Sequence, residues 1–329
     1  MRTARAVRYL PLRRLAVLAT FALFAAALPA TALAVWGGPY TGSTGETVRV
    51  TFSDAYPQDP ALQARWGEYL VSLVHGPELA TVGVFIGPLA EVQAACGGED
   101  ALACYSGRRS VITSPGEDVP ERPTAEAILA HEYGHHIARS RLNTPWDAGD
   151  YGTKRWATAM NVCARAQAGD LAPGNEDARY ALNPGEGIAE AYRLLNERRL
   201  GRPETPWSLV DATLAPSEAV LRLLEEDIRN PWTAPTAQTL RGSFATGTQT
   251  GATRNFPVAT PLDGRITVTL RSPTASRFEL TLLAGGKVVA QAPAGSRTIA
   301  ATVCGQRSFT VRVQRARGSG AFSVAIAKP

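Results

Sequence analysis

The stretch Ala127-Ile128-Leu129-Ala130-His131-Glu132-Tyr133-Gly134-His135-His136-Ile137-Ala138 decides how this chain is read. It is apolar except for three histidines, a tyrosine and one glutamate. The whole chain of 329 residues holds four histidines, so three within six positions is not a packing accident. On a helix, His131 and His135 stand four residues apart and share one face. Two imidazoles so placed can hold one tetrahedral zinc ion. Glu132 projects one residue on, close enough to take a proton from water in the same site. Gly134 makes room on a crowded helix, at about 1 kcal/mol in helix propensity. Tyr133 points away from the metal face and reads as core. His136 lies on another face and reads as structural. His75, before Gly76-Pro77, reads as a capping or surface residue.

A catalytic zinc site needs a third protein ligand and an open position. The segment Asn183-Pro184-Gly185-Glu186-Gly187-Ile188-Ala189-Glu190-Ala191-Tyr192 offers it. Glu186 and Glu190 are again four apart, on one face of a second helix. Their surroundings are small or apolar, which is costly for two carboxylates unless a cation or a donor answers them. Either glutamate can be the ligand on this pattern.

Working outward, residues 1–34 read as an export signal. Arg2, Arg5, Arg8, Arg13 and Arg14 form a basic start, Leu15 to Leu28 is apolar, and Ala32-Leu33-Ala34 offers a cleavage site. The run is shorter than the roughly 20 residues a membrane span needs, and no later stretch is long and apolar enough, so no transmembrane span is expected once the signal is removed. The formal charge is +5, but without those five arginines 29 basic residues meet 29 acidic ones. The basicity therefore belongs to the export segment, and no nucleic-acid partner is expected. Export implies an oxidising compartment and a secreted, extracellular protein, so the four cysteines should form disulfides. Cys96 and Cys104 flank a short glycine-containing loop and are the natural pair, which leaves Cys163 with Cys304. No CxxC occurs to suggest a cysteine metal site.

The rest divides at about residue 232. Residues 35–232 read as mostly helical with a small sheet. Strands are expected at Val48–Phe52, Leu79–Ile86 and Ser110–Thr113. Helices are expected at Pro60–Val74, from Pro123 to Leu142 with Thr124 as N-cap, and over 153–168, 185–199 and 216–229. Residues 233–253, rich in Thr, Gly, Ala and Pro, read as a linker or lead-in. Residues 254–329 carry period-two runs at Ile266–Leu270, Phe278–Leu282, Phe309–Val313 and Phe322–Ile326, the pattern of an all-β sandwich. No zinc, phosphate or nucleic-acid motif is visible there.

The two glutamate- and histidine-bearing segments resemble the zinc site of secreted gluzincin metallopeptidases of the lethal-factor and Pro-Pro endopeptidase type. There HExxH on one helix is completed by glutamate on a second, often within E-x-x-A-E, which Glu186-Gly187-Ile188-Ala189-Glu190 matches. The resemblance covers residues 120–200. It implies a zincin-like α+β catalytic domain followed by the sandwich, with one Zn2+ per chain. His131, His135 and Glu186 would be ligands, Glu132 the general base, and Glu190 a carboxylate that orients a ligand histidine. Tyr180 falls near the place where such families keep a tyrosine that donates to the oxyanion; packing under the loop is its other reading. Glu190 as ligand with Glu186 behind it stays open. The metzincin continuation is absent, because Ala138 and Arg141 occupy its positions. Asp147-Ala148-Gly149-Asp150 resembles the aspzincin ligand loop only loosely. The implied function is a secreted zinc endopeptidase acting on peptide or protein, bound along an exposed strand edge for which Ser110–Thr113 is the candidate. The other readings are a metallohydrolase of cell-wall peptides, or a non-catalytic exported zinc protein. The last portion resembles modules appended to bacterial secreted peptidases, which bind surfaces, aid secretion or are removed on maturation; it implies surface or cell-wall contact, with a passive stabilising domain as the other reading.

Overall fold

The structure, a computed structural model, describes residues 35–329; the expected export signal lies outside the described residues. The first strands are β1 (Val35–Thr41) and β2 (Thr47–Ser53), followed by α1 (Pro60–Ser72), β3 (Gly83–Gly87), α2 (Leu89–Cys96), β4 (Cys104–Ser106) and β5 (Val111–Pro115). They make one sheet in the order β1-β2-β3-β5-β4, parallel through β2, β3 and β5 and antiparallel at both edges. Alternation decides the buried face: Val48, Val50, Phe52, Val84, Ile86 and Ile112 are all within 1% of complete burial. The glycine-rich start of β1 does not read as a strand. It pairs because Trp36 stacks on Phe52 at 4.5 Å, and because Gly37 at φ +92 lets the backbone approach Val50, whose carbonyl a Cβ would meet at 2.6 Å.

Two sequence expectations change here. The stretch expected as an edge, Ser110–Thr113, falls largely in β5, which is interior, between β3 and β4. The edge is β4, folded back on β5 by the turn at Gly107–Ser110 and tied by the Cys96–Cys104 disulfide. A three-residue strand leaves no period-two signal, which is why it is invisible in the sequence. The expected strand at Leu79–Ile86 is half 3-10 turn, since Pro77–Thr81 coils before β3 begins.

Helices α3 (Ala125–Arg139), α4 (Ala148–Tyr151), α5 (Lys154–Ala159), α6 (Val162–Ala168), α7 (Pro184–Arg199) and α8 (Glu218–Arg229) follow. The expected helix over 153–168 is broken into α5 and α6 by Asn161 at φ +53, a left-handed position that asparagine tolerates. Asp227 of α8 is 1% exposed and binds α5 at its start: its carboxylate accepts from Arg155 N at 2.7 Å, Trp156 N at 3.1 Å and Arg155 Nη1 at 2.8 Å. One apolar core joins the sheet to α1, α3, α7 and α8.

The remaining strands are β6 (Thr236–Phe244), β7 (Thr253–Ala259), β8 (Gly264–Arg271), β9 (Arg277–Ala284), β10 (Lys287–Gln291), β11 (Thr298–Val303), β12 (Ser308–Arg317) and β13 (Gly320–Lys328). They form two four-stranded sheets, β10-β9-β12-β7 and β11-β8-β13-β6, every pair antiparallel, and their inward side chains share a second core. The segment 233–253 is therefore not a linker: β6 lies within it and pairs along its length with β13. Its Thr, Gly and Gln content hides an edge strand that buries only one end. The two cores meet where Asp263 N donates to Thr158 Oγ1 at 3.1 Å, beside the Cys163–Cys304 disulfide, which closes a separation of 141 residues. Lys154 lies over Trp232 at 4.6 Å in the same junction. Among the described residues no helix is long and apolar enough to cross a membrane.

Removing the Asp227 carboxylate leaves Arg155 and two backbone donors without an acceptor in a buried place. Asp227→Ala should therefore cost about 3–5 kcal/mol, read as a lowered urea midpoint at unchanged slope. A loss under about 1 kcal/mol would contradict this account of the α5–α8 contact.

Candidate metal centre

Helix α3 starts where the Thr124 hydroxyl accepts from Ala127 N at 3.2 Å and Asp118 Oδ1 accepts from Ala125 N at 2.8 Å. Helix α7 starts where the Asn183 side chain accepts from Gly185 N at 3.0 Å, with Pro184 in the first turn. These caps fix the phase of both helices. The helices pack so closely that a Cβ at Gly134 would stand 2.7 Å from Ala189 Cα and 3.1 Å from its carbonyl oxygen. Glycine at 134 is thus a packing requirement, and the closeness brings Glu186 onto the histidines.

Three donor atoms converge. His131 Nε2 lies 3.2 Å from Glu186 Oε2 and 3.2 Å from His135 Nε2, and His135 Nε2 lies 3.4 Å from Glu186 Oε2. Bonds of about 2.0–2.1 Å to a tetrahedral metal would set its ligands about 3.3–3.4 Å apart. The three edges fit that figure, and these residues form a group able to hold a metal ion. His131 and Glu186 are buried, while His135 is partly open.

Around the triangle each group has a distinct task. Glu190 stands on the other side of His131, its Oε1 3.5 Å from Nδ1, an electrostatic contact longer than a hydrogen bond. Its other oxygen accepts from Arg193 Nε at 2.7 Å and also from Nη2. Arg193 is itself 2% exposed and donates onward to Glu197 at 2.5 Å, and Glu197 holds Thr205 N at 3.0 Å and Thr205 Oγ1 at 2.7 Å. Tyr180, in a 3-10 turn before α7, donates its hydroxyl to Glu186 Oε2 at 2.5 Å. Burial and the Glu186 carboxylate push its phenol up, so it stays a donor. Glu132 is buried, and no protein donor among the described residues reaches its carboxylate. Burial raises its pKa, against the pull of His135 and His131. Burial works against charge on His131, yet the hydrogen bond of Glu186 and the nearby Glu190 carboxylate outweigh it and hold the imidazole up at about 10. Burial likewise opposes charge on Glu186 and Glu190, but His135 and His131 hold the first well below the carboxylate range, and His131 and Arg193 lower the second.

The other candidates fall elsewhere. Tyr133 is fully buried in the core. His136 bonds Tyr105 Oη and the Glu78 carbonyl, both at 3.0 Å, and His75 bonds the Val71 and Gly76 carbonyls. Asp147 caps α4 and pairs with Arg139 at 3.2 Å, outside the donor triangle. Asp150 and Glu176 line the neighbouring cavity. Sequence reading missed Arg193, although the spacing Glu190, Arg193, Glu197 on an otherwise apolar helix face signals an internal ion pair.

His131, Glu132 and Tyr180 line two cavities, so the triangle sits between them. One, about 340 Å³, is polar and bordered by β4, Arg139, Asp150 and Glu176. The other, about 450 Å³, is bordered by Leu102, Pro123, Ala127, Pro206 and Leu209.

No protein-family model matches the chain, and no curated protein matches it. Among solved structures, a periplasmic inhibitor of g-type lysozyme from Aeromonas hydrophila is similar at TM-score 0.24 and 14% identity, over 29% of this chain and 86% of that one. The pre-peptidase C-terminal domain of a collagenase from Bacillus anthracis is similar at TM-score 0.22 and 17% identity, over 27% and 87%. Similarities this slight carry no argument about chemistry.

Because Gly134 sets the helix spacing, Gly134→Ala should push α7 away and spread the triangle. Metal affinity, measured by competition with a chelating dye, should fall about tenfold or more. Unchanged affinity would show that the spacing is set elsewhere.

Proposed function

We propose that this chain is an exported, zinc-dependent endopeptidase of gluzincin type. The observation that carries the reading is the spacing of His131, His135 and Glu186, which fits three corners of a tetrahedron, beside a buried, unpartnered Glu132 and between two cavities. Zinc held by these three residues would act as a Lewis acid and bring the pKa of a bound water to about 7. A carboxylate raised by burial and free of protein donors is suited to take a proton from water and return it to a leaving amine. Glu132 therefore acts first as base and then as acid. Tyr180, which donates to Glu186, would turn to the oxyanion as charge develops on the scissile carbonyl. Glu190, clamped by Arg193, keeps His131 in one orientation and so preserves the geometry through the cycle. The edge strand β4 borders the polar cavity, and an extended peptide would add to it as a strand. The two disulfides support an extracellular or periplasmic setting. The paired sheets support reading the last portion as a β-sandwich.

Glu132→Gln keeps the shape of the site and removes the base. Hydrolysis of a fluorogenic peptide mixture should fall about 10²–10⁴-fold while bound zinc stays at the wild-type level. An unchanged rate in this variant would defeat the reading.

A further inference from the structure

The near-zero charge balance of residues 35–329 conceals a segregation. Residues 236–329 hold twelve arginines and lysines against two acids, Asp263 and Glu279. Residues 35–235 hold seventeen against twenty-seven. The two-sheet unit is thus near +10 and the metal-bearing unit near −10. Asp263 is 3% exposed and already committed to Arg307 at 2.6 Å, the only ion pair of the two-sheet unit among the described residues.

The cations are also placed unevenly. Contacts to the metal-bearing unit come from one end of the strands, at Asp263, Gly264 and Cys304. β8 runs from that junction to Arg271, and β12 runs away from it to Arg317. At this far end Arg317 stands directly opposite Arg277 in the β12–β9 ladder. Like charges facing each other across a sheet are destabilising unless something answers them. Arg297, tied by Nη1 to the Ser272 carbonyl at 3.0 Å, lines the same cleft of about 530 Å³ together with Ser276, Gln291 and Ser296. Glu279 is the one carboxylate in that lining. At the same far end of the other sheet, outside the cleft lining, Arg241 and Arg271 flank Ser323 on the outer face. The cations of this end are arginines, whose planar forks suit phosphate, sulfate and carboxylate, whereas both lysines, Lys287 and Lys328, lie toward the junction.

We infer that the far end of the two-sheet unit, centred on Arg277, Arg297 and Arg317, binds an anionic polysaccharide. The cleft receives the charged substituents of a carbohydrate polymer, and Arg241 and Arg271 on the neighbouring sheet meet others farther along it. A membrane fits less well, because the exposed large apolar residues of this unit, Val288 and Val289, lie on β10 away from this end. Nucleic acid fits less well because Phe244, Phe278 and Phe322 are buried, Phe278 only edging the cleft, and the half-buried Phe256 packs on Phe322, which leaves little ring face for stacking among the described residues. The inference stands whether or not the metal-bearing unit is a peptidase. The metal-bearing unit, held at the opposite end, would remain free over whatever surface the polymer covers.

The test uses the protein with both units, titrated with dextran sulfate, neutral dextran, duplex DNA and phosphatidylglycerol vesicles. Dextran sulfate should bind, neutral dextran should not, and affinity should fall as salt rises. Arg277→Glu with Arg297→Glu and Arg317→Glu should weaken binding about tenfold or more, while Arg265→Glu with Lys287→Glu, at the junction end, should change it less than about threefold. Arg277→Gln with Arg317→Gln relieves a like-charge pair, guards against misfolding of the triple variant, and should weaken binding in the same direction. No binding to dextran sulfate would overturn the inference, and so would equal losses at both ends. Tighter binding to DNA or vesicles, or a salt-sensitive dimer dissolved by the charge reversals, would also overturn it.

Discussion

Two carboxylates on the buried face of one helix govern the first half of this molecule, residues 35–232. Glu186 and Glu190 lie one turn apart in α7, both under 10% exposed. Burying ionised carboxylates is costly unless positive charge or strong donors meet them. Everything nearby answers that cost: His131 between the two, His135 and Tyr180 on Glu186, Arg193 on Glu190. The close passage of α3 over α7 at Gly134 is what makes the answer reachable, and the capped starts of both helices set which faces meet.

The same constraint divides the two glutamates by role. Glu186 points to the side where both histidine Nε2 atoms converge, and it keeps one further partner, Tyr180. Glu190 points to His131 Nδ1 and spends its other oxygen on a fully buried arginine. That arginine passes the restraint to Glu197 and on to the loop at Thr205, which borders one of the two cavities. Glu190, which faces His131, and the wall of one cavity at Thr205 are thus joined by one chain of charge-assisted hydrogen bonds.

Much of this was legible in the sequence, because helical spacing alone places His131 with His135 and Glu186 with Glu190. The caps Thr124 and Asn183 mark where those helices start. What escaped were features without a period. β4 is too short to alternate, the left-handed Asn161 breaks an otherwise continuous helical pattern, and β6 hides its pairing in a polar stretch. The choice between Glu186 and Glu190 needed the packing of two helices, which spacing within one helix does not contain. The charge segregation was present as a simple count but cancelled in the total, and only strand direction reveals that the arginines gather at the end away from the helical unit.

The central claim is that His131, His135 and Glu186 hold one metal ion. The most direct measurement is zinc per chain after exhaustive dialysis, by mass spectrometry, on the wild type and Glu186→Ala side by side. The account predicts one zinc per wild-type chain and its loss in Glu186→Ala. A wild type that holds no divalent metal, or a Glu186→Ala protein that keeps its zinc in full, would contradict it.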